Sequence, residues 1–134
     1  MHSNPFLAKN SENLPKKEHE FCLELHDALT NSDGFRRKAV PSLLYRYFSG
    51  MASSFRGVRK VLKKNAPYAL VVGGNHTVLG GNRFDINTPV HLSSIAVKNG
   101  WKLKEIIPLQ TYQRFGYHAN NAVANESLII LEAV

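Results

Sequence analysis

Tyr112, Arg114, Phe115, Tyr117, His118 and Asn121 lie in one polar stretch, residues 110–125, that mixes aromatic rings with amides and a cation. That composition suits stacking on bases and touching phosphates. Tyrosines and phenylalanines beside a hairpin also serve as its hydrophobic cover. A second candidate is Gly73-Gly74-Asn75-His76-Thr77, which follows an apolar run at the place where open α/β sheets receive ligands, outside the carboxyl ends of their strands. Gly80-Gly81-Asn82-Arg83 adds flexibility and one cation, as expected of a mobile loop near substrate; an ordinary connection with turn glycines is the competing reading. His19, Cys22 and His26 stand three and four residues apart on a helical stretch, so all three can face one direction, as a metal site needs. No fourth ligand is evident and Cys22 fits an apolar helix face without one, so no metal is expected. Nothing in the sequence pairs His76 or His118 with a nucleophile or a carboxylate.

These residues need elements to hold them. Residues 1–15 show no periodicity and are rich in Asn, Ser and Pro, the composition of a flexible lead. Over 16–30, Phe21, Cys22, Leu25, Ala28 and Leu29 share one helical face, and Asn31-Ser32-Asp33-Gly34 ends that helix. A second helix is predicted over about 41–64, where Leu44, Phe48, Met51, Phe55, Val58 and Leu62 recur at spacings of three and four. Arg56, Arg59, Lys60 and Lys63 project from its opposite side. Pro41 suits its first turn and Ser49-Gly50 marks a kink or a break. The continuous apolar run over 67–72 predicts a central strand buried on both faces. Thr88 as N-cap and Pro89 in the first turn open a helix that Gly100 closes. Strands follow over 101–107 and 127–131, and the whole order is α/β.

The 134 residues, 43% of them hydrophobic, suffice for one compact domain, and no apolar run approaches the length of a membrane span. A cytoplasmic protein with no membrane association is expected. One cysteine excludes an intrachain disulfide. The net charge of +7 is segregated, with no Asp or Glu between Gly34 and Phe84. Such segregation fits a polyanionic partner, because each cation set against a phosphate releases condensed counterions. A solvated basic face is the plainer account.

Certain motifs recur in a particular order. Tyr47-Phe48-Ser49-Gly50-Met51 is followed by Arg59-Lys60-Val61-Leu62-Lys63, then Tyr68 to Gly74, then Asn99-Gly100-Trp101, then Asn121-Ala122-Val123-Ala124-Asn125-Glu126 before Leu128-Ile129-Ile130-Leu131. In that order they resemble the closing half of class I Rossmann-like methyltransferases, and more closely the S-adenosylmethionine-dependent DNA methyltransferases that modify an exocyclic amino group of cytosine (N4) or adenine (N6). The first pair looks like the family's helix, although Lys64-Asn65-Ala66 replaces its closing Pro-Gly-Gly turn. Tyr68 to Gly74 resembles the fifth strand, Asn99-Gly100-Trp101 the entry to the sixth, and the last segment the final hairpin.

The resemblance implies a partial methyltransferase sheet of about three C-terminal strands with flanking helices, over 16–134. It also implies that Asn75, Arg83, Tyr112, Arg114 and Asn121 lie on the DNA and target-base side. Two family motifs are missing. There is no acidic-aromatic-glycine cofactor loop, and no Pro-Pro pair of the kind that lets a catalytic tetrapeptide hold a flipped base. The chain therefore resembles the C-terminal portion of a restriction-modification enzyme, inactive alone. S-adenosylmethionine and catalysis would belong to a complementary N-terminal chain, and the sheet edge left open would pair with that chain or self-associate. A non-catalytic basic nucleic-acid-binding module, or a degenerate remnant, is the alternative.

Overall fold

The computed structural model describes residues 7, 14–109 and 126–134. Their order is α1 (Lys16–Ala28), α2 (Phe35–Val61), β1 (Pro67–Gly73), β2 (Asn75–Leu79), β3 (Asn82–Ile86), α3 (Thr88–Lys98), β4 (Trp101–Pro108) and β5 (Glu126–Ala133), an α/β arrangement. Among the described residues no helix is long and apolar enough to cross a membrane.

α1 buries Glu18, Cys22 and Leu25, spaced four and three apart along one stripe. It ends where expected, in a turn closed by Asp33, whose backbone N–H donates to Thr30 O at 3.0 Å. α2 begins at Phe35, earlier than the sequence pattern predicts, so Pro41 lies inside the helix rather than in its first turn. The Asp33-Gly34 turn sets the start, and the first helical bond runs from Lys38 N–H to Gly34 O at 3.1 Å. Pro41 has no N–H to offer the Arg37 carbonyl one turn back, a loss the helix absorbs while burying the proline ring. Ser49-Gly50 does not interrupt it.

Tyr45, Phe48, Ala52 and Phe55 carry the inner face of α2 into a core shared with Leu92, Ile95 and Ala96 of α3, Trp101 of β4, and Ile129 and Leu131 of β5. Each large side chain withdrawn from water in this way contributes about 1.5–3 kcal/mol. At the start of α3 the capping residue is Asn87 rather than Thr88, without a side-chain cap, and Thr88 is buried. Gly100 follows the end of α3 with φ +95°, and a Cβ there would approach Arg59 Cγ to 3.0 Å, so glycine is required on both counts.

The main sheet has the order β1-β5-β4, and every strand pairing among the described residues is antiparallel. β1 and β4 therefore run parallel to each other with β5 between them. This corrects the expected position of 67–72: β5 is the central strand, and β1 is an edge strand among the described residues. β1 is not buried on both faces either. Tyr68, Leu70 and Val72 pack against the core, while Ala69 and Val71 are exposed. A continuous apolar run permits two-sided burial without requiring it, because the layer on the second face must come from elsewhere in the chain.

The expected mobile loop after β1 is instead a hairpin of β2 and β3. Gly80 and Gly81, with φ +58° and +78°, form its two-residue turn between the paired Leu79 and Asn82. Glycines at both positions meet the positive φ that such turns demand. The turn is pinned rather than free: Gly80 N–H donates to Asp33 Oδ2 at 2.9 Å, and a Cβ on Gly80 would fall 2.0 Å from Ala28 O. The same carboxylate oxygen accepts from Thr30 N–H at 2.8 Å, and Arg37 stands 4.0 Å from its other oxygen.

These contacts hold the Asp33 carboxyl below the usual range, the Thr30 N–H first among the causes, with the Gly80 N–H, the Thr30 hydroxyl and Arg37 adding to it against the opposing effect of desolvation. A depressed folded-state value stabilises the fold fully above the ordinary aspartate value of about 3.9 and loses that contribution as pH falls through the folded value. Amide exchange at Gly80 is therefore expected to accelerate, relative to buried core amides, as pH drops below about 4. Asp33→Asn should remove that acid dependence. An equal acid response in both proteins would separate the pinned turn from the Asp33 charge.

Candidate nucleic-acid interface and the buried Glu18–His91 pair

Glu18 of α1 is fully buried and sits opposite His91 of α3, with Nδ1 of the imidazole 2.6 Å from Oε2 of the carboxylate. A carboxylate only accepts, so with Glu18 ionised Nδ1 carries the proton. Phe21 of α1 stacks on the imidazole at a centroid distance of 4.9 Å and Phe48 of α2 lies tilted against it at 5.4 Å. All three helices thus meet at His91. Glu18 Oε1 has no hydrogen-bond partner among the described residues. With rings packed against it and little solvent exposure among the described residues, the pair positions the helices that carry it. Sequence reasoning missed it, although a glutamate on the buried stripe with Cys22 and Leu25 was a signal of an internal partner. Cys22 lies on that stripe too, and burial, then the Glu18 charge, pushes its thiol up to about 12. It stays protonated at neutral pH and is neither nucleophile nor ready metal ligand.

The metal arrangement considered for α1 does not assemble. His19 Nε2 lies 2.6 Å from Leu7 O and its ring meets Tyr45 edge-on, while Cys22 faces the core. Among the described residues no group of three His, Cys, Asp or Glu side chains is placed to hold a metal ion.

The residues expected on the base side are only partly in view. Tyr112, Arg114 and Asn121 lie outside the described residues, as does His118. Asn75 opens β2, exposed, and its Oδ1 accepts from His76 N–H at 2.8 Å. Arg83 on β3 is exposed and donates to Asp85 Oδ1 at 3.0 Å. β2–β3 pairing places Asn75 opposite Ile86 and Arg83 opposite Val78, so the two residues stand at opposite ends of the hairpin.

The basic residues of α2 divide. Arg59 is a structural residue: Nη1 donates to Leu62 O at 2.9 Å, Nε donates to Val134 O at 3.2 Å, and Nη2 bonds the same oxygen. It fastens the end of α2 to the end of β5 and is removed from the expected basic face. Lys60 and Lys63 are exposed, and Arg56, also exposed, donates to Ser53 Oγ at 3.1 Å. Arg36 and Arg46, cations of the acid-free stretch outside the expected basic face, are exposed on the same helix. Beneath it, Trp101 Nε1 donates to Phe55 O at 3.0 Å and its ring stacks on Tyr68 at 5.3 Å, so one indole ties β1 and β4 to α2.

Comparison with protein-family models, with curated proteins and with solved structures finds no match to this chain.

Removing one partner of a buried pair strands the other charge away from water, at a cost of about 3–5 kcal/mol. His91→Leu alone is expected to destabilise the fold by that order in urea titration. Glu18→Met combined with His91→Leu should recover most of the loss, because neither charge then remains. Additive losses in the double variant would show that the two groups do not act as a pair.

Proposed function

We propose that this chain is the C-terminal portion of an S-adenosylmethionine-dependent DNA amino-methyltransferase, a partial Rossmann-like sheet that a second chain completes. The observation that carries it is the sheet. The three stretches that resemble the family's fifth, sixth and last strands are the three strands of one sheet, and the last returns antiparallel beside the sixth as a hairpin partner. α3 forms the crossover between the first two.

The two edges of that sheet differ in a way that favours an incomplete structure. β4 carries the features that keep an edge solitary: exposed Lys102, Lys104 and Glu105, an irregularity between Leu103 and Glu105, and Pro108 at its end. β1 carries none of these beyond Pro67 at its start. It reads Pro-Tyr-Ala-Leu-Val-Val-Gly in unbroken register, with Val71 60% exposed. An uncharged, regular edge is a template for another strand.

The paired turn glycines do not offer the cofactor a cradle. Gly80-Gly81 is the glycine pair closing a tight turn among the described residues, and its first N–H is taken by Asp33 while its Cα backs onto Ala28 O. No backbone cradle for S-adenosylmethionine remains there, so cofactor binding and catalysis fall to the complementary chain. Asn75 and Arg83 would then serve on the DNA side.

Two measurements test this division of labour. Calorimetry of the isolated chain with S-adenosylmethionine is expected to give no binding heat, and micromolar affinity would overturn the assignment of the cofactor to another chain. In sedimentation, the isolated chain should self-associate with rising concentration through β1, and Val71→Lys should return it to monomer. A wild-type chain that stays monomeric at high concentration, with no strand-supplying partner in pull-down, would count against an open edge.

A further inference from the structure

We infer that the outer face of α2 is a binding surface for the phosphate backbone of duplex DNA, distinct from the loops that follow β1. The choice of DNA rests on the function proposed above; the surface itself does not.

Tyr45, Phe48, Ala52 and Phe55 face the core, and outside that face Arg36, Arg46, Arg56 and Lys60 are exposed to solvent, Arg56 at the border of the buried face. No acidic residue occurs anywhere in α2 or in the segment joining it to β1. At 1.5 Å per residue, the cations from Arg36 to Lys60 span about 36 Å, close to one turn of duplex, about 34 Å. Duplex DNA offers roughly one negative charge per 1.7 Å of axis, so a phosphate lies within reach of each of these cations along that length.

Shape points the same way. Midway along the outer face stand Gly50, Ser53 and Gly57, all exposed, which let a sugar-phosphate backbone approach the helix closely and supply a hydroxyl. A helix that lies in a membrane surface needs an apolar strip to bury between its cations. Here the exposed large apolar residues are Phe35, Leu43, Tyr47 and Val61, 89%, 57%, 44% and 80% exposed, and none lies between Phe48 and Lys60, where Gly50, Ser53 and Gly57 face solvent. Arg59, held by Val134 and Leu62, takes no part.

The test is fluorescence anisotropy of a labelled duplex of arbitrary sequence with the isolated chain, over a range of salt, without cofactor. Because neither S-adenosylmethionine nor a partner is needed, failure here is separate from failure of the methyltransferase assignment. Binding is expected at low salt, with a log–log salt slope of roughly −3 to −4 for four cations. Arg46→Glu with Lys60→Glu should weaken binding by roughly tenfold or more and reduce the slope by about two. Lys17→Glu with Lys102→Glu makes the same change in net charge on α1 and β4, and should alter affinity by less than about twofold. Circular dichroism confirms folding of each variant. If the glutamate pair unfolds, Arg46→Gln with Lys60→Gln is expected to lower affinity in the same direction. Absence of duplex binding at low salt, a slope near zero, equal losses in the two charge-reversal pairs, or tighter binding to phosphatidylserine vesicles than to duplex would each overturn the proposal.

Discussion

The Glu18 carboxylate has no access to water, and the structure around it follows from that fact. A charge so enclosed costs several kcal/mol in lost hydration, which only a close and well-oriented partner offsets. His91 Nδ1 at 2.6 Å is that partner, and the two phenylalanine rings packed against the imidazole leave it little freedom. Because Glu18 and Phe21 come from α1, Phe48 from α2 and His91 from α3, one pair fixes how three helices meet. A wholly apolar junction would tolerate sliding, since hydrophobic contact is not directional. The Glu18–His91 hydrogen bond is directional and specifies one arrangement, through which α1 acquires its place on a core shared with α2, α3 and the sheet.

From that junction the rest of the molecule is held by a small number of polar ties. Trp101 joins α2 to β4 through the Phe55 carbonyl, and Arg59 joins the end of α2 to the end of β5. Asp33 joins the α1–α2 turn to the tip of the β2–β3 hairpin. Arg59 and Asp33 use a side chain to satisfy backbone groups left over where an element ends or turns, the places where burial would otherwise leave them unpaired, while Trp101 donates to a carbonyl inside α2. With its inner face and Arg59 turned to these tasks, α2 still exposes Arg36, Arg46, Arg56 and Lys60.

The amphipathic helices and the apolar strands were legible because their patterns repeat locally. Leu44, Phe48, Met51, Phe55 and Val58 set the inner face of α2 by spacing alone, and all are buried or packed against the core. Elements at Trp101 and Leu128 followed from alternation or apolar runs, and turn glycines at 80 and 81 were the competing reading of a segment expected as a mobile loop. The start of α2 was not legible, because Pro41 looks the same in a first turn and inside a helix until the preceding turn is seen. The hairpin read as a mobile loop because its order depends on Asp33, 47 residues from Gly80.

What the sequence by itself determined is therefore whatever depends on neighbours along the chain: the α/β class, the two long helices and the acid-free basic stretch. Tertiary structure decided the placement of β5 between β1 and β4, which left β1 at an edge among the described residues rather than at the centre. It decided that Arg59 is a fastener while Lys60 beside it is free to face solvent. It also brought Glu18 to His91, 73 residues away. Such choices depend on which distant groups can satisfy a buried charge or an unpaired backbone group, and no local periodicity carries that information.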